Sequence, residues 1–181
     1  MKILIVVDMQ NDFLTGALAN PAAVRIIPKL KEKIRGNILA GNPVIFTRDT
    51  HYDDYLETHE GRLLPIVHCV ENSSGWEICD DLREYATNIV DKRSFGYDEW
   101  LNYIYKNIDP SLEIEEIELV GTCTDICVIS NAMILRNVFP ESEIVVDADC
   151  CAGLNDLSHQ NALEAMKLCH ITVDGFEEEC E

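Results

Sequence analysis

Basic side chains are scarce in this 181-residue chain: 14 Lys and Arg stand against 33 Asp and Glu, for a formal charge of −19. Such a field repels phosphate backbones and anionic lipid, so nucleic acid and membrane surfaces are excluded as partners. Proline and glycine are also sparse, at 6 and 9 residues, which excludes a disordered or fibrous chain. No apolar run approaches the roughly 18 residues that a membrane-spanning helix needs. The opening MKILIVV holds only a short apolar run before DMQND, too short for a signal core, and a cytoplasmic protein is expected. Paired CxxC motifs, the mark of a structural zinc site, are missing too. The 8 cysteines are therefore expected as free thiols, most of them small core residues. Nor is there an internal repeat, a linker, or low complexity beyond the acidic tail EEECE. One domain over residues 1–181 is expected.

What is present is alternation. Residues 3–7 form a β-rich run that is apolar on both faces, as a strand buried in a parallel sheet must be. Residues 21–39 carry apolar side chains at helical spacing, with Lys and Arg opposite and Gly41, Asn42 and Pro43 as the stop. Further strands are predicted over 44–47, 88–91, 114–120, 143–146 and 171–173. Helices are predicted over 97–108, 125–138 and 157–169, with a short helical segment beginning near Trp76. Residues 48–75 read as a long polar stretch carrying His51, His59 and His68. Strand–helix alternation over six units implies an α/β protein with a parallel sheet covered by helices on both faces.

In such sheets ligands bind outside the carboxyl ends of the strands. Asp8 follows the first predicted strand, Asp49 the second, Lys92 the third, and Cys123 and Cys127 the fourth. The two cysteines, with Asp125 between them, fit a redox pair, a metal clip, two buried thiols or one nucleophile with a neighbour. Cys127 falls in the first turn of the next predicted helix, where free N–H groups and the helix dipole stabilise a thiolate. A thiol nucleophile needs a proton acceptor and a group that holds the anion. Asp8 and Lys92 supply both: the carboxylate takes the proton, and the ammonium lowers the thiol pKa.

Asp49 and His51 are separated by one residue, so in extended backbone they face the same way. His68 can reach them from the loop. Two imidazoles and a carboxylate suit Zn, Mn or Fe as a divalent ion, with positions left open for water or substrate. His59, in ETHEG, reads instead as a solvated loop histidine.

Five motifs in order resemble one family: DMQNDF at 8–13, TRDTHYD at 47–53, PIVHCVENSSGWEI at 65–78, DKRSF at 91–95 and GTCTDICV at 121–128. Together they resemble the nicotinamidase branch of the isochorismatase-like cysteine hydrolase family, across nearly the whole chain. The resemblance implies a three-layer αβα sandwich with a six-stranded parallel sheet, assembled as a homo-oligomer, either dimer or tetramer. It implies a triad of Cys127, Asp8 and Lys92 that hydrolyses a small carboxamide through a thioester and releases ammonia, with nicotinamide as the expected substrate. It also implies a cis peptide at Thr122–Cys123, an oxyanion hole from the backbone N–H groups of Cys123 and Cys127, and metal ligation by Asp49, His51 and His68. Phe13 is expected as an aromatic wall of the same pocket. Two departures bear on the substrate. The aromatic Trp-Pro pair many nicotinamidases carry before the metal histidine is replaced by Leu63, Leu64, Pro65, Ile66 and Val67. Glu71, Asn72 and Ser73 follow the HCV motif in place of Gly-Thr. An amidase for another carboxamide, and a non-catalytic metal- or thiol-responsive binding protein on the same fold, are the alternatives.

Overall fold

In the computed structural model, which describes residues 1–108 and 113–175, six parallel strands form one sheet in the order β3-β2-β1-β4-β5-β6. The strands are β1 (Lys2–Val7), β2 (Val44–Asp49), β3 (Ile89–Lys92), β4 (Glu116–Thr122), β5 (Glu143–Ala152) and β6 (Thr172–Asp174). The helices are α1 (Asn11–Leu14), α2 (Pro21–Leu39), α3 (His59–Leu63), α4 (Asp80–Arg83), α5 (Trp100–Asn107), α6 (Ile129–Val138) and α7 (Asp156–Leu168). The acidic tail EEECE lies outside the described residues.

Why the sheet sits where it does is visible in β1. Ile3, Ile5 and Val7 pack with Trp100, Ile104, Val128, Ala132 and Leu163 on one face, the side of α5, α6 and α7. Leu4 and Val6 pack with Ala23, Ile27, Leu30, Ile34 and Leu82 on the other, the side of α2 and α4. The side chains alternate with the period of two that an extended strand imposes. The strand is buried on both sides, which is the three-layer arrangement expected from its sequence. Each such fully buried Ile, Leu or Val contributes about 1.5–3 kcal/mol relative to exposure.

The ends of α2 follow from local chemistry. The Asn20 side chain accepts the Ala22 N–H at 2.9 Å, Pro21 occupies the first helical turn, and Gly41 takes φ +75° just past the end. Four expectations need correction. The strand placed over 143–146 runs on to Ala152 as β5. The short helix placed near Trp76 begins instead at Asp80, and Trp76 occupies a turn. The polar stretch 48–75 contains a 3-10 turn, Tyr55–Glu57, and helix α3. The helix placed over 125–138 divides into a π-helical turn, Thr124–Val128, and α6.

The topology creates a crevice. β1 pairs with β2 on one side and β4 on the other, so the chain leaves in opposite directions from the carboxyl ends of β1 and β4. That reversal is where ligands bind in open α/β sheets. The two strands approach closely there. A Cβ on Gly121, which has φ +116°, would lie 2.2 Å from the Val7 carbonyl oxygen, so only glycine fits.

Candidate active site

Asp8 sits at the carboxyl end of β1 with φ +48°, fully buried. Its N–H donates to Thr47 Oγ1 at 3.2 Å, and the Thr47 hydroxyl donates back to Asp8 Oδ1 at 2.7 Å. Lys92, at the end of β3, is buried as deeply, and its Nζ lies 2.7 Å from Asp8 Oδ2. The same ammonium donates to the Ser94 carbonyl at 3.1 Å, lies 3.6 Å from Asp49 Oδ1, and points at Cys127 Sγ at 3.7 Å. The structure thus brings Asp8, Lys92 and Cys127 together from three strand ends.

Burial dominates the electrostatics of the three. It pushes the Cys127 thiol well above the usual range; Lys92 pulls it back, while Asp8 and Asp49 add to the rise. Burial also raises the Asp8 carboxyl, against the pull of Lys92. For Lys92, burial alone would lower the pKa, yet the negative partners Asp8, Cys127 and Asp49 outweigh it and the ammonium stays charged. The Cys127 sulfur thus lies beside a buried carboxylate–ammonium pair. Cys127 also lies within the π-helical turn rather than the first turn of α6.

Cys123 occupies the turn before it, after a cis Thr122–Cys123 peptide. Burial pushes its thiol up to about 11, so it is protonated at neutral pH. Its carbonyl accepts N–H groups of Ile126 (3.1 Å) and Val128 (3.0 Å), which closes the turn carrying Cys127.

A second group lies beside the first. Asp49, His51, Glu60 and His68 each present one ligand atom, all within 4.8 Å of one another. His51 Nε2 is 3.0 Å from Asp49 Oδ2 and 3.7 Å from Glu60 Oε1; His68 Nε2 is 3.6 Å and 3.9 Å from the same oxygens. Both Asp49 Oδ1 and His51 Nε2 are buried without a hydrogen-bond partner. Buried polar atoms left open are costly, and an added cation satisfies them together. His68 Nδ1 faces the Ile66 carbonyl at 2.7 Å, so that nitrogen carries the hydrogen and Nε2 is left to bind. For Asp49, the neighbouring His51 and His68 rings together with Lys92 outweigh burial and hold the carboxyl well below its usual range. These residues fit a divalent ion.

Glu60 is the member that sequence reasoning missed. It stands next to His59, which is exposed and outside the group as expected. The signal was weak, because carboxylates are common in polar segments and α3 is only one turn long. Two further residues of DMQNDF, Gln10 and Asp12, tie the site together. The Gln10 amide accepts the Asp49 N–H at 2.7 Å and donates to the carbonyls of Asp49 (2.9 Å) and Trp76 (2.8 Å). Asp12 accepts N–H groups of Cys69 (2.7 Å) and Ala17 (3.1 Å), tying the residue after His68 to α1.

The two groups open onto one cavity of about 550 Å³. Asp49, Glu60, His68, Cys123 and Cys127 line its polar side, and Phe13, Leu18, Leu64, Phe95, Ile126 and Leu154 its apolar side. Phe13 meets the His68 ring edge-on at 5.8 Å. Asp8 and Lys92 do not line the cavity; they sit behind Cys127.

A three-layer α/β fold with a polar cluster and a cavity at its topological switch point is the architecture of a hydrolase class that comparison with known proteins identifies. The chain matches the isochorismatase domain over residues 2–176 and belongs to the isochorismatase family of hydrolases, on its amidohydrolase branch. It is 30% identical to a pyrazinamidase of Pyrococcus horikoshii whose structure was solved in complex with zinc, with a TM-score of 0.82 over 97% of this chain and 99% of that one. It is 27% identical to a nicotinamidase of Saccharomyces cerevisiae over 81% of this chain and 87% of the relative. It is 25% identical to the N-carbamoylsarcosine amidase of Thermoplasma acidophilum, over 99% of both chains with a TM-score of 0.78. Among the described residues no helix is long and apolar enough to cross a membrane.

Proposed function

We propose that this chain hydrolyses nicotinamide to nicotinic acid and ammonia, with Cys127 as nucleophile. The observation that carries the reading is that Cys127 and the Asp49, Glu60 and His68 donors line one cavity, while Lys92 and Asp8 stand behind the sulfur. Asp8 takes the Cys127 proton as the sulfur attacks the amide carbon. Its carboxyl, raised by burial, holds that proton better than an exposed one would. Lys92 stays cationic and stabilises whichever neighbour is charged. The backbone N–H groups of Cys123 and Cys127 receive the oxyanion; one such donor is worth about 3 kcal/mol to a transition state. The C–N bond breaks as Asp8 returns the proton to nitrogen, ammonia leaves, and a thioester remains on Cys127. Asp8 then deprotonates a water that attacks the thioester, giving the acid and the free thiol.

Asp49, His51, Glu60 and His68 would hold a divalent ion, Zn, Mn or Fe, which when bound supplies a Lewis acid for the pyridine nitrogen. Phe13 walls the ring. The names of the yeast and Pyrococcus relatives support an aromatic carboxamide. A second reading, an amidase for a small aliphatic carboxamide, draws on Leu64, Leu18 and Leu154 in the cavity wall and on the N-carbamoylsarcosine amidase likeness. Residues 1–181 are read as one cytoplasmic domain assembling as dimers or tetramers, which light scattering measures. Ammonia release across a carboxamide panel tests the function. Fastest release from nicotinamide supports the first reading, and release only from aliphatic amides the second. No release from any amide leaves a binding protein.

A further inference from the structure

Asn131 is wholly buried one helical turn past Cys127, and all four hydrogen-bonding positions of its side-chain amide are used. Nδ2 donates to the Cys127 carbonyl at 2.8 Å and to the Phe95 carbonyl at 3.1 Å. Oδ1 accepts the Tyr97 N–H at 3.0 Å and the Trp100 indole N–H at 2.8 Å. Two carbonyls on one side and two N–H groups on the other fix which way the amide faces, since the flipped orientation would mispair all four.

The partners belong to two segments. One is the helix that carries Cys127. The other is the chain after β3, where Lys92 donates to the Ser94 carbonyl, Ser94 Oγ donates to the Gly96 carbonyl at 2.9 Å, and Phe95 lines the cavity. That segment lies hard against α6: a Cβ on Gly96 would fall 2.5 Å from Ile134 Cδ1 and 3.3 Å from the Ser130 carbonyl oxygen. Contact alone would let the two surfaces slide. The four hydrogen bonds of the Asn131 amide join the two surfaces at one point.

We propose that Asn131 is a positioning residue of the thiol site, acting through residues 94–96 to hold Lys92 against Cys127. The proposal rests on the reading of Cys127 as nucleophile, but not on which amide it attacks. Aspartate at this position keeps the acceptors for Tyr97 and Trp100 and sets a carboxylate oxygen against two carbonyls. Serine back-bonds to the Cys127 carbonyl from its own turn and cannot reach the loop. Either change releases residues 94–96 while leaving Cys127 on its helix.

The test measures the iodoacetamide alkylation rate of the Cys127 peptide by mass spectrometry, at one fixed pH, for wild type, Asn131→Asp, Asn131→Ser and Trp100→Phe. Melting temperature and bound metal are measured in parallel. Removing an opposite charge from beside a thiol moves its ionisation by a unit or more, so both Asn131 variants should alkylate about tenfold more slowly. Metal content should stay at the wild-type level. Trp100→Phe removes one donor to Oδ1 and leaves the Cys127 and Phe95 bonds, so it should lower melting temperature with an unchanged alkylation rate. If Asn131→Asp fails to fold, Asn131→Ser gives the answer alone. A wild-type alkylation rate in the folded Asn131 variants overturns the proposal. So does an equal slowing in Trp100→Phe, because the effect would then track stability. Slow alkylation in a protein that releases no ammonia from nicotinamide would sustain the positioning role and sink only the substrate.

Discussion

The two groups that share the cavity are built in opposite ways. Asp8, Lys92 and Cys127 come from the ends of β1, β3 and the turn after β4, and the Lys92 ammonium lies against the Asp8 carboxyl and the sulfur, with Asp49 farther off at 3.6 Å. Asp49, His51, Glu60 and His68 all come from the end of β2 and the single excursion that follows it. Their lone pairs converge on one point, and Lys92 touches only Asp49 among them. The first group is complete as the chain folds. The second needs an added ion to settle its buried acceptors, and its loop is held by Gln10 and Asp12 reaching across from the motif that begins with Asp8. In the proposed function the fixed cluster belongs to bond breaking, and the loop-borne group to recognition.

That division can be broken from the fixed side first. Cys127→Ala should reduce amide turnover by about 10⁴-fold or more, as loss of a nucleophile does. Bound metal and fold should stay intact, and Cys123→Ala should be far milder; steady-state rates and metal analysis check both. Lys92→Met should come next. It leaves Asp8 buried and uncompensated, at a cost of about 3–5 kcal/mol in denaturant unfolding, with activity lost as well. From the loop side, a chelator should strip the ion and Glu60→Gln should weaken its binding by about 10–100-fold, and amide turnover at limiting metal should fall with either. The Cys127 alkylation rate should be untouched. If chelation slowed alkylation as well, the two groups would be one unit. The pH dependence gives a smaller effect with a definite sign. Asp8 must be ionised to accept the thiol proton, and burial raises its pKa. The acid limit of kcat/KM should therefore lie above the ordinary carboxylate range, activity rising with pH through it. Smallest of all, His59→Ala should change neither metal content nor rate.

How much of this could be read from the chain depended on whether a residue's role leaves a periodic trace. The β-rich runs mark all six strands, most plainly β1, which is buried on both faces and apolar from Ile3 to Val7. β5 was cut short at Val146 because Asp147 and Asp149 interrupt its apolar run. Lys33 and Lys29 reach from α2 to pair with them, and that cannot be seen locally. Asp8, Asp49, Lys92 and Cys127 were legible because a strand end marks each of them. Glu60, Gln10, Asp12 and Asn131 were not. Each meets partners far away in sequence, backbone groups for Gln10, Asp12 and Asn131 and the donors Asp49 and His68 for Glu60, and a single amide or carboxylate in a polar segment carries no spacing that announces it.

The most direct measurement is the mass of the Cys127 peptide, taken from protein quenched with acid during turnover of a carboxamide. Cys127 should carry the acyl group of the substrate as a thioester that disappears when substrate is exhausted, and Cys123 should stay unmodified. Ammonia release with no adduct on Cys127, or with the acyl group on Cys123, would contradict the account.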